Sequence, residues 1–191
     1  FDLAALIERA VENIEREDRV DGICSYWDFP GTTILPILCE RFGVPGPTLE
    51  AVMKCENKFW SRLEQQKVIP EHIPQFRAVD PFDEDAFPKI DLVTPFWVKP
   101  IKSFRSFLSY RINGPSVFEE AMAEARKHVQ YVGEPFQHLM RSYGMPDELA
   151  DMKETMIAES PISGAMCTLE GYVFEGNVVG YGVVDSVRDA D

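Results

Sequence analysis

Apolar residues recur at helical spacing from the first turn of the chain. Leu3, Leu6, Ile7, Ala10, Val11 and Ile14 share one face, which predicts an amphipathic helix over 2–15. Residues 21–25, Asp-Gly-Ile-Cys-Ser, read as a short strand and 26–31 as a loop. A second helix is expected from Thr32 to Phe42, stopped by Gly43. Gly43-Val44-Pro45-Gly46-Pro47 excludes regular structure, and Thr48 then caps another helix whose pattern continues from Lys54 to Lys67.

Strand patterns dominate later. Gln75 to Val79 reads as a strand, and the acidic, proline-bearing stretch 80–92 as mostly loop. Phe96-Trp97-Val98 is a short apolar run that ends in Lys99 and Pro100. It predicts a buried strand that stops at the proline, which has no N–H for a ladder. Residues 107–112 read as a strand and 113–115 as a turn. Ser116 is the expected cap of a helix reaching about Val129, with Glu119 at the capping-box position. Two short helices are expected within 130–153, around Gly144-Met145-Pro146. Strands at 155–159, 167–175 and 178–187 follow, the last two joined by a turn at Glu175-Gly176-Asn177. The fold class is α/β (α+β), and residues 43–47 read as a linker or a tight turn.

Composition narrows the function. The 191 residues are 45% hydrophobic and 27% charged, which is ordinary for a globular protein. A net charge of −13 with no basic block argues against nucleic acid as a partner. A nucleotide stays possible, because a few local cations suffice to hold one polyphosphate. The four cysteines match no zinc spacing and read as reduced, buried thiols of a cytoplasmic protein. His72, His128 and His138 are scattered, so no metal site is expected from them. No apolar run reaches the length of a membrane span, and no membrane partner is expected. A helix pattern that starts at once and a last strand that simply stops read as a piece of a longer protein.

Lys99 is the first candidate for chemistry. An ammonium at the end of a buried strand is costly unless an anion meets it. Residues 101–106 add two cations and two hydroxyls. One reading is a phosphate site. The other is a lysine whose stem lies along a strand edge while its head reaches water.

Three stretches occur in a telling order: residues 43–58, Gly-Val-Pro-Gly-Pro-Thr-Leu-Glu-Ala-Val-Met-Lys-Cys-Glu-Asn-Lys; then Pro95-Phe96-Trp97-Val98-Lys99-Pro100; then Ala158-Glu159-Ser160-Pro161-Ile162-Ser163-Gly164 before Thr168-Leu169-Glu170-Gly171-Tyr172-Val173. Their order and spacing resemble the ATP-grasp superfamily over about residues 20–187. The resemblance implies that 1–47 closes an α/β domain preceding the ATP-grasp domain. Residues 48–191 would then be the first lobe and hinge hairpin. Lys58, where the family usually has Asp-Lys, and Lys99 would reach the nucleotide phosphates. Lys102, Ser103 and Ser106 match the phosphate-covering loop. Glu159 matches the acidic hinge residue beside the adenine amino group, with the Ser160 carbonyl and the Ile162 N–H pairing with the adenine edge. Glu170-Gly171 fits the strand beyond the hinge.

The resemblance further implies ATP and magnesium, with the magnesium ligands beyond the end of this chain; Asp185, Asp189 and Asp191 are not assigned to it. It departs in two places. Residues 101–108 contain no glycine, where the family loop is glycine-rich so that backbone N–H groups can approach phosphate. Met166 stands where the family often has an acidic or polar residue to hold the ribose.

The implied function is the ATP-binding portion of a ligase that activates a carboxylate as an acylphosphate for attack by an amine or similar nucleophile. Its partners would be a nucleotide and small carboxylate and amine substrates, and this piece alone is expected to be inactive. A non-catalytic nucleotide- or protein-binding module is the alternative, favoured by the glycine-free loop and Met166. An unrelated α/β domain with structural lysines is a third reading, and it implies no nucleotide binding. An exposed edge on the hinge hairpin implies a homodimer, which light scattering tests.

Overall fold

The computed structural model describes residues 2–142, 149 and 152–186. Its elements run α1 (Leu3–Ile14), α2 (Gly31–Phe42), α3 (Leu49–Glu56), α4 (Lys58–Val68), β1 (Phe76–Val79), α5 (Ala86–Ile90), β2 (Phe96–Pro100), β3 (Tyr110–Ile112), α6 (Pro115–His128), α7 (Gln130–Ser142), β4 (Met156–Glu159), β5 (Cys167–Phe174) and β6 (Asn177–Asp185). They form two compact units, divided in sequence between Pro161 and Ile162.

The first unit holds an antiparallel sheet in the order β1-β4-β2-β3. Side chains alternate across a strand. Phe96 and Val98 of β2, with Met156 and Ala158 of β4, therefore enter a core shared with Phe118, Ala121, Met122 and Ala125 of α6. The register pairs Lys99 with Ile157 and Trp97 with Glu159, so Lys99 and Glu159 share the opposite face. Directly paired residues point the same way, and the diagonal neighbours on that face lie within reach of long side chains.

A second cluster packs Leu3, Ile7 and Val11 of α1 with Ile37 and Leu38 of α2, Met53 of α3, Trp60 of α4, and Val132, Phe136 and Leu139 of α7. It draws on both sides of Pro47. The Asp2 carboxylate accepts from the Ala5 N–H at 3.0 Å to start α1, as its apolar stripe requires. Gly43 ends α2 at φ 64°, a left-handed cap that suits glycine. Gly133 allows a close approach inside α7: a Cβ there would sit 2.0 Å from the Lys153 carbonyl oxygen.

Several local expectations are corrected. Residues 21–25 join no ladder among the described residues: the strands of this unit's sheet all lie later in the chain, and the Ile23 carbonyl accepts from the Cys39 thiol at 4.0 Å instead. The helical pattern of 54–67 is broken at Asn57, which leaves helical geometry (φ −82°, ψ 107°) to close α3 and open α4. Residues 107–112 shorten to a strand at Tyr110, since the Phe107 and Ser109 N–H groups turn back to the Phe104 and Ser106 carbonyls, both at 3.1 Å. Ser116 does not cap α6. Gly114 holds that position and Pro115 begins the helix, where its missing N–H costs nothing. The loop 80–92 encloses α5. Of the four cysteines only Cys39 is buried; Cys24, Cys55 and Cys167 are exposed. Gly144-Met145-Pro146 lie outside the described residues.

The second unit is the hairpin β5–β6, with a register shift at Glu170/Gly171. Glu175 (φ 49°) and Gly176 (φ 77°) form its turn, and two successive left-handed residues match the twist of a tight hairpin. Both strands carry exposed apolar side chains, among them Leu169, Val173, Val178 and Val183.

Candidate functional site

Lys58 stands at the first position of α4. The Asn57 side chain caps the helix by accepting from the Trp60 N–H at 3.1 Å. The Lys58 N–H donates to the Ile101 carbonyl at 2.8 Å, which ties the helix start to the end of β2. The ammonium donates to the Ser103 carbonyl at 2.9 Å and to its Oγ at 3.1 Å. These are neutral partners. Burial, then the charges of Lys102 and Lys99, push its pKa from the ordinary 10.5 down to about 8, against the opposing pull of Glu159 and Asp28. A half-buried cation held by neutral groups is suited to an incoming anion.

Lys99 and Glu159 meet across the sheet face. The Lys99 ammonium lies 2.5 Å from Glu159 Oε2, while Arg62 Nε lies 2.6 Å from Oε1. Arg62 stands one turn after Lys58 on α4, so helical spacing brings both to one face. Its Nη1 donates to Gln65 Oε1 at 2.8 Å, and Gln65 Nε2 donates to Ser61 Oγ at 3.1 Å. The Glu159 side chain is only 5% exposed. Burial pushes its carboxyl up, but Lys99 and Arg62 together outweigh that and hold it below its ordinary value.

Lys102 turns inward. Its ammonium lies 3.1 Å from Glu56 Oε2 and 4.3 and 4.9 Å from the ring centres of Phe29 and Phe136, with 5% of the side chain exposed. Thr33 Oγ1 of α2 donates to the same carboxylate oxygen. Burial lowers the Lys102 pKa and Glu56 opposes it. Lys102 thus ties the base of the 101–109 loop to the ends of α2 and α3. Phe104 stacks on Phe29 at 5.7 Å and adds a second anchor.

Between these anchors the glycine-free loop has three left-handed residues, Arg105 (φ 53°), Ser106 (φ 56°) and Leu108 (φ 52°). The backbone takes the conformations glycines would take, at a steric cost its anchors must hold. Ser106 is exposed at the loop tip. Ser160 is tied to the entry of β1: its N–H donates to the Gln75 carbonyl at 2.9 Å and its Oγ accepts from the Gln75 N–H at 3.0 Å. Ile162 and Met166 belong to the second unit, and both side chains are exposed.

The first unit therefore brings Lys58, Lys99, Ser103 and Glu159 around one sheet face and loop, and Lys102 lies behind them. Sequence reasoning missed Arg62, Glu56 and Asn57. Only Arg62 had a readable signal, its four-residue spacing from Lys58. Among the described residues no three His, Cys, Asp or Glu side chains cluster as a metal site, and no helix is long and apolar enough to cross a membrane.

No family model matches the chain, and no curated protein sequence matches it. Solved structures do. An L-amino acid ligase from Bacillus licheniformis superposes with a TM-score of 0.67 at 20% identity, over 97% of this chain and 40% of that one. D-alanyl-alanine synthetase A from Vibrio cholerae gives 0.55 at 16% identity, over 85% and 44%. A D-alanine–D-alanine ligase from Bacillus anthracis, complexed with ATP, gives 0.53 at 13%, over 95% and 58%. The fold is that of ATP-grasp ligases. The chain spans less than two thirds of the length of each.

Proposed function

We propose that this chain is the ATP-binding portion of an ATP-dependent ligase. The observation that carries the reading is Lys58: a half-buried ammonium beside two further lysines, held by neutral oxygens of the loop it would share with a phosphate. Lys58 and Lys99 supply flexible point charges for the polyphosphate. Ser103 and Ser106 supply loop hydroxyls, and the Ser160 carbonyl pairs with the adenine edge. Lys102 sets the loop from behind. Residues 1–47 close the domain that precedes this one.

In the whole protein, a carboxylate oxygen attacks the γ-phosphorus, forming a C–O–P bond and breaking the bond to the β-phosphate. ADP leaves. An amine then attacks the acyl carbon, phosphate departs, and the amine loses a proton to give the amide. The lysines offset charge on the transferring group. Magnesium enters this proposal as the counter-ion of ATP, and no described residue is assigned to it. The solved structures of ligases acting on amino acids share the fold, which supports a small amino-acid carboxylate.

The test is ATP turnover by the whole protein against a panel of amino acids as carboxylate and amine. Release of ADP that requires both substrates supports the ligase. Tight nucleotide binding with no turnover supports a second reading, a non-catalytic module. The inward pairing of Lys102 with Glu56 favours that reading, since it withholds one loop cation from the phosphates.

A further inference from the structure

Glu159 poses an electrostatic problem for the proposed nucleotide site. A carboxylate 2.5 Å from Lys99 cancels the charge that the lysine would offer to phosphate. Screening by water is weak there, because Glu159 is nearly enclosed. Burial alone would relieve the conflict by protonating the acid, yet its pKa is held low and it stays charged. The structure supplies a second cation instead. Arg62 holds the other oxygen at 2.6 Å, and the Gln65–Ser61 chain fixes its guanidinium. Arg62, Glu159 and Lys99 together carry one net positive charge, and the lysine is the member on the strand beside the phosphate loop.

We propose that Arg62 is a charge-balancing, positioning residue: it neutralises Glu159, so that Lys99 keeps its positive charge for a polyphosphate. This rests on the nucleotide reading above and adds to it a residue outside the phosphate-contacting set. It also assigns Glu159 to the setting of Lys99, since each of its oxygens already has a cation.

Charge arithmetic separates this role from a packing role. Arg62→Gln leaves Glu159 and Lys99 to cancel, for a net charge of zero. Arg62→Gln with Glu159→Gln restores a net charge of one, on Lys99 alone. The assay is calorimetric titration of each variant with inorganic tripolyphosphate, which reads the cations without adenine, and in parallel with ATP. A melting scan reports that each variant is folded.

Arg62→Gln is expected to weaken tripolyphosphate binding on the order of tenfold. Arg62→Lys is expected to stay within about threefold of the parent, and the double variant to return to about the same range. A double variant as weak as Arg62→Gln, or weaker, overturns the proposal, because a loss of packing is not repaired by removing a carboxylate, whereas a loss of charge balance is. Unchanged binding in Arg62→Gln overturns it too. Should Arg62→Gln fail to fold, the double variant, which removes both partners of the buried pair, carries the test alone. Tripolyphosphate binding with no ATP binding overturns the adenine half of the nucleotide reading and leaves Arg62 standing. No binding of either probe overturns both.

Discussion

Raising the pH through 8 discharges Lys58, and this gives the proposed site a measurable signature. Burial and the neighbouring Lys102 and Lys99 bring its pKa from 10.5 to about 8. In the unfolded chain it returns to the ordinary value. Between these two pH values the unfolded state binds more protons than the folded one, so stability rises with pH across that window. A displacement of this size corresponds to about 3 kcal/mol between pH 7 and pH 11.

Nucleotide binding moves the other way. A phosphate needs the charged lysine and holds it charged, so apparent affinity falls as the free site deprotonates. From a pKa near 8, Kd rises roughly eightfold between pH 7.5 and 9, and then about tenfold per unit until the bound pKa is reached. Phosphate is almost fully ionised over this range, since its own last pKa lies at about 6. The assay is calorimetric titration with ATP at four pH values, beside urea unfolding at the same pH, for the parent and Lys58→Met. The variant is expected to bind weakly at every pH, to lose the affinity slope and to keep only a shallower stability slope, because the lowered pKa of Lys102 still contributes one. A parent profile flat from pH 7.5 to 9.5, or a variant that keeps the parent's slopes, refutes the assignment of Lys58.

Three further perturbations follow from the geometry. Ser106→Gly relieves left-handed backbone at an exposed position and is expected to raise stability by about 0.5–1 kcal/mol, read as a higher melting temperature, whereas Ser106→Val lowers it. Gly133→Ala drives a Cβ into the Lys153 carbonyl and is expected to cost about 2 kcal/mol or more in denaturant unfolding; an unchanged midpoint contradicts a close approach of Lys153 to α7. Asn57→Ala removes the cap of α4 at a cost of about 1 kcal/mol, and because Lys58 is the next residue it also weakens ATP binding; stability lost with affinity intact separates the two roles.

Much of this architecture was legible because its signals are local. The apolar stripe of α1, the glycine that ends α2, the Thr48 cap and the turn at Glu175-Gly176 each carry their own chemistry in adjacent residues. Lys99 was legible for the same reason, as a charge next to a proline at the end of an apolar run. What depends on distant partners was not. Residues 21–25 have strand composition, but a strand exists only where another takes its hydrogen bonds. Asn57 lies in a continuous helical pattern, and its side chain chooses the cap over the helix. Lys102 reads as one more loop cation. Its inward turn depends on Glu56, Phe29 and Phe136, which are 46, 73 and 34 residues away along the chain. Glu159 reads from the sequence as a candidate only, and its two cations, from α4 and β2, meet only in the folded sheet.

The central claim is that this sheet face and loop hold a nucleotide through its phosphates. Calorimetric titration of the folded chain with ATP, with and without magnesium, beside Lys99→Met tests it most directly. Saturable binding by the parent that the variant loses is the expected result. No binding by a folded parent, or equal binding by the variant, contradicts the claim.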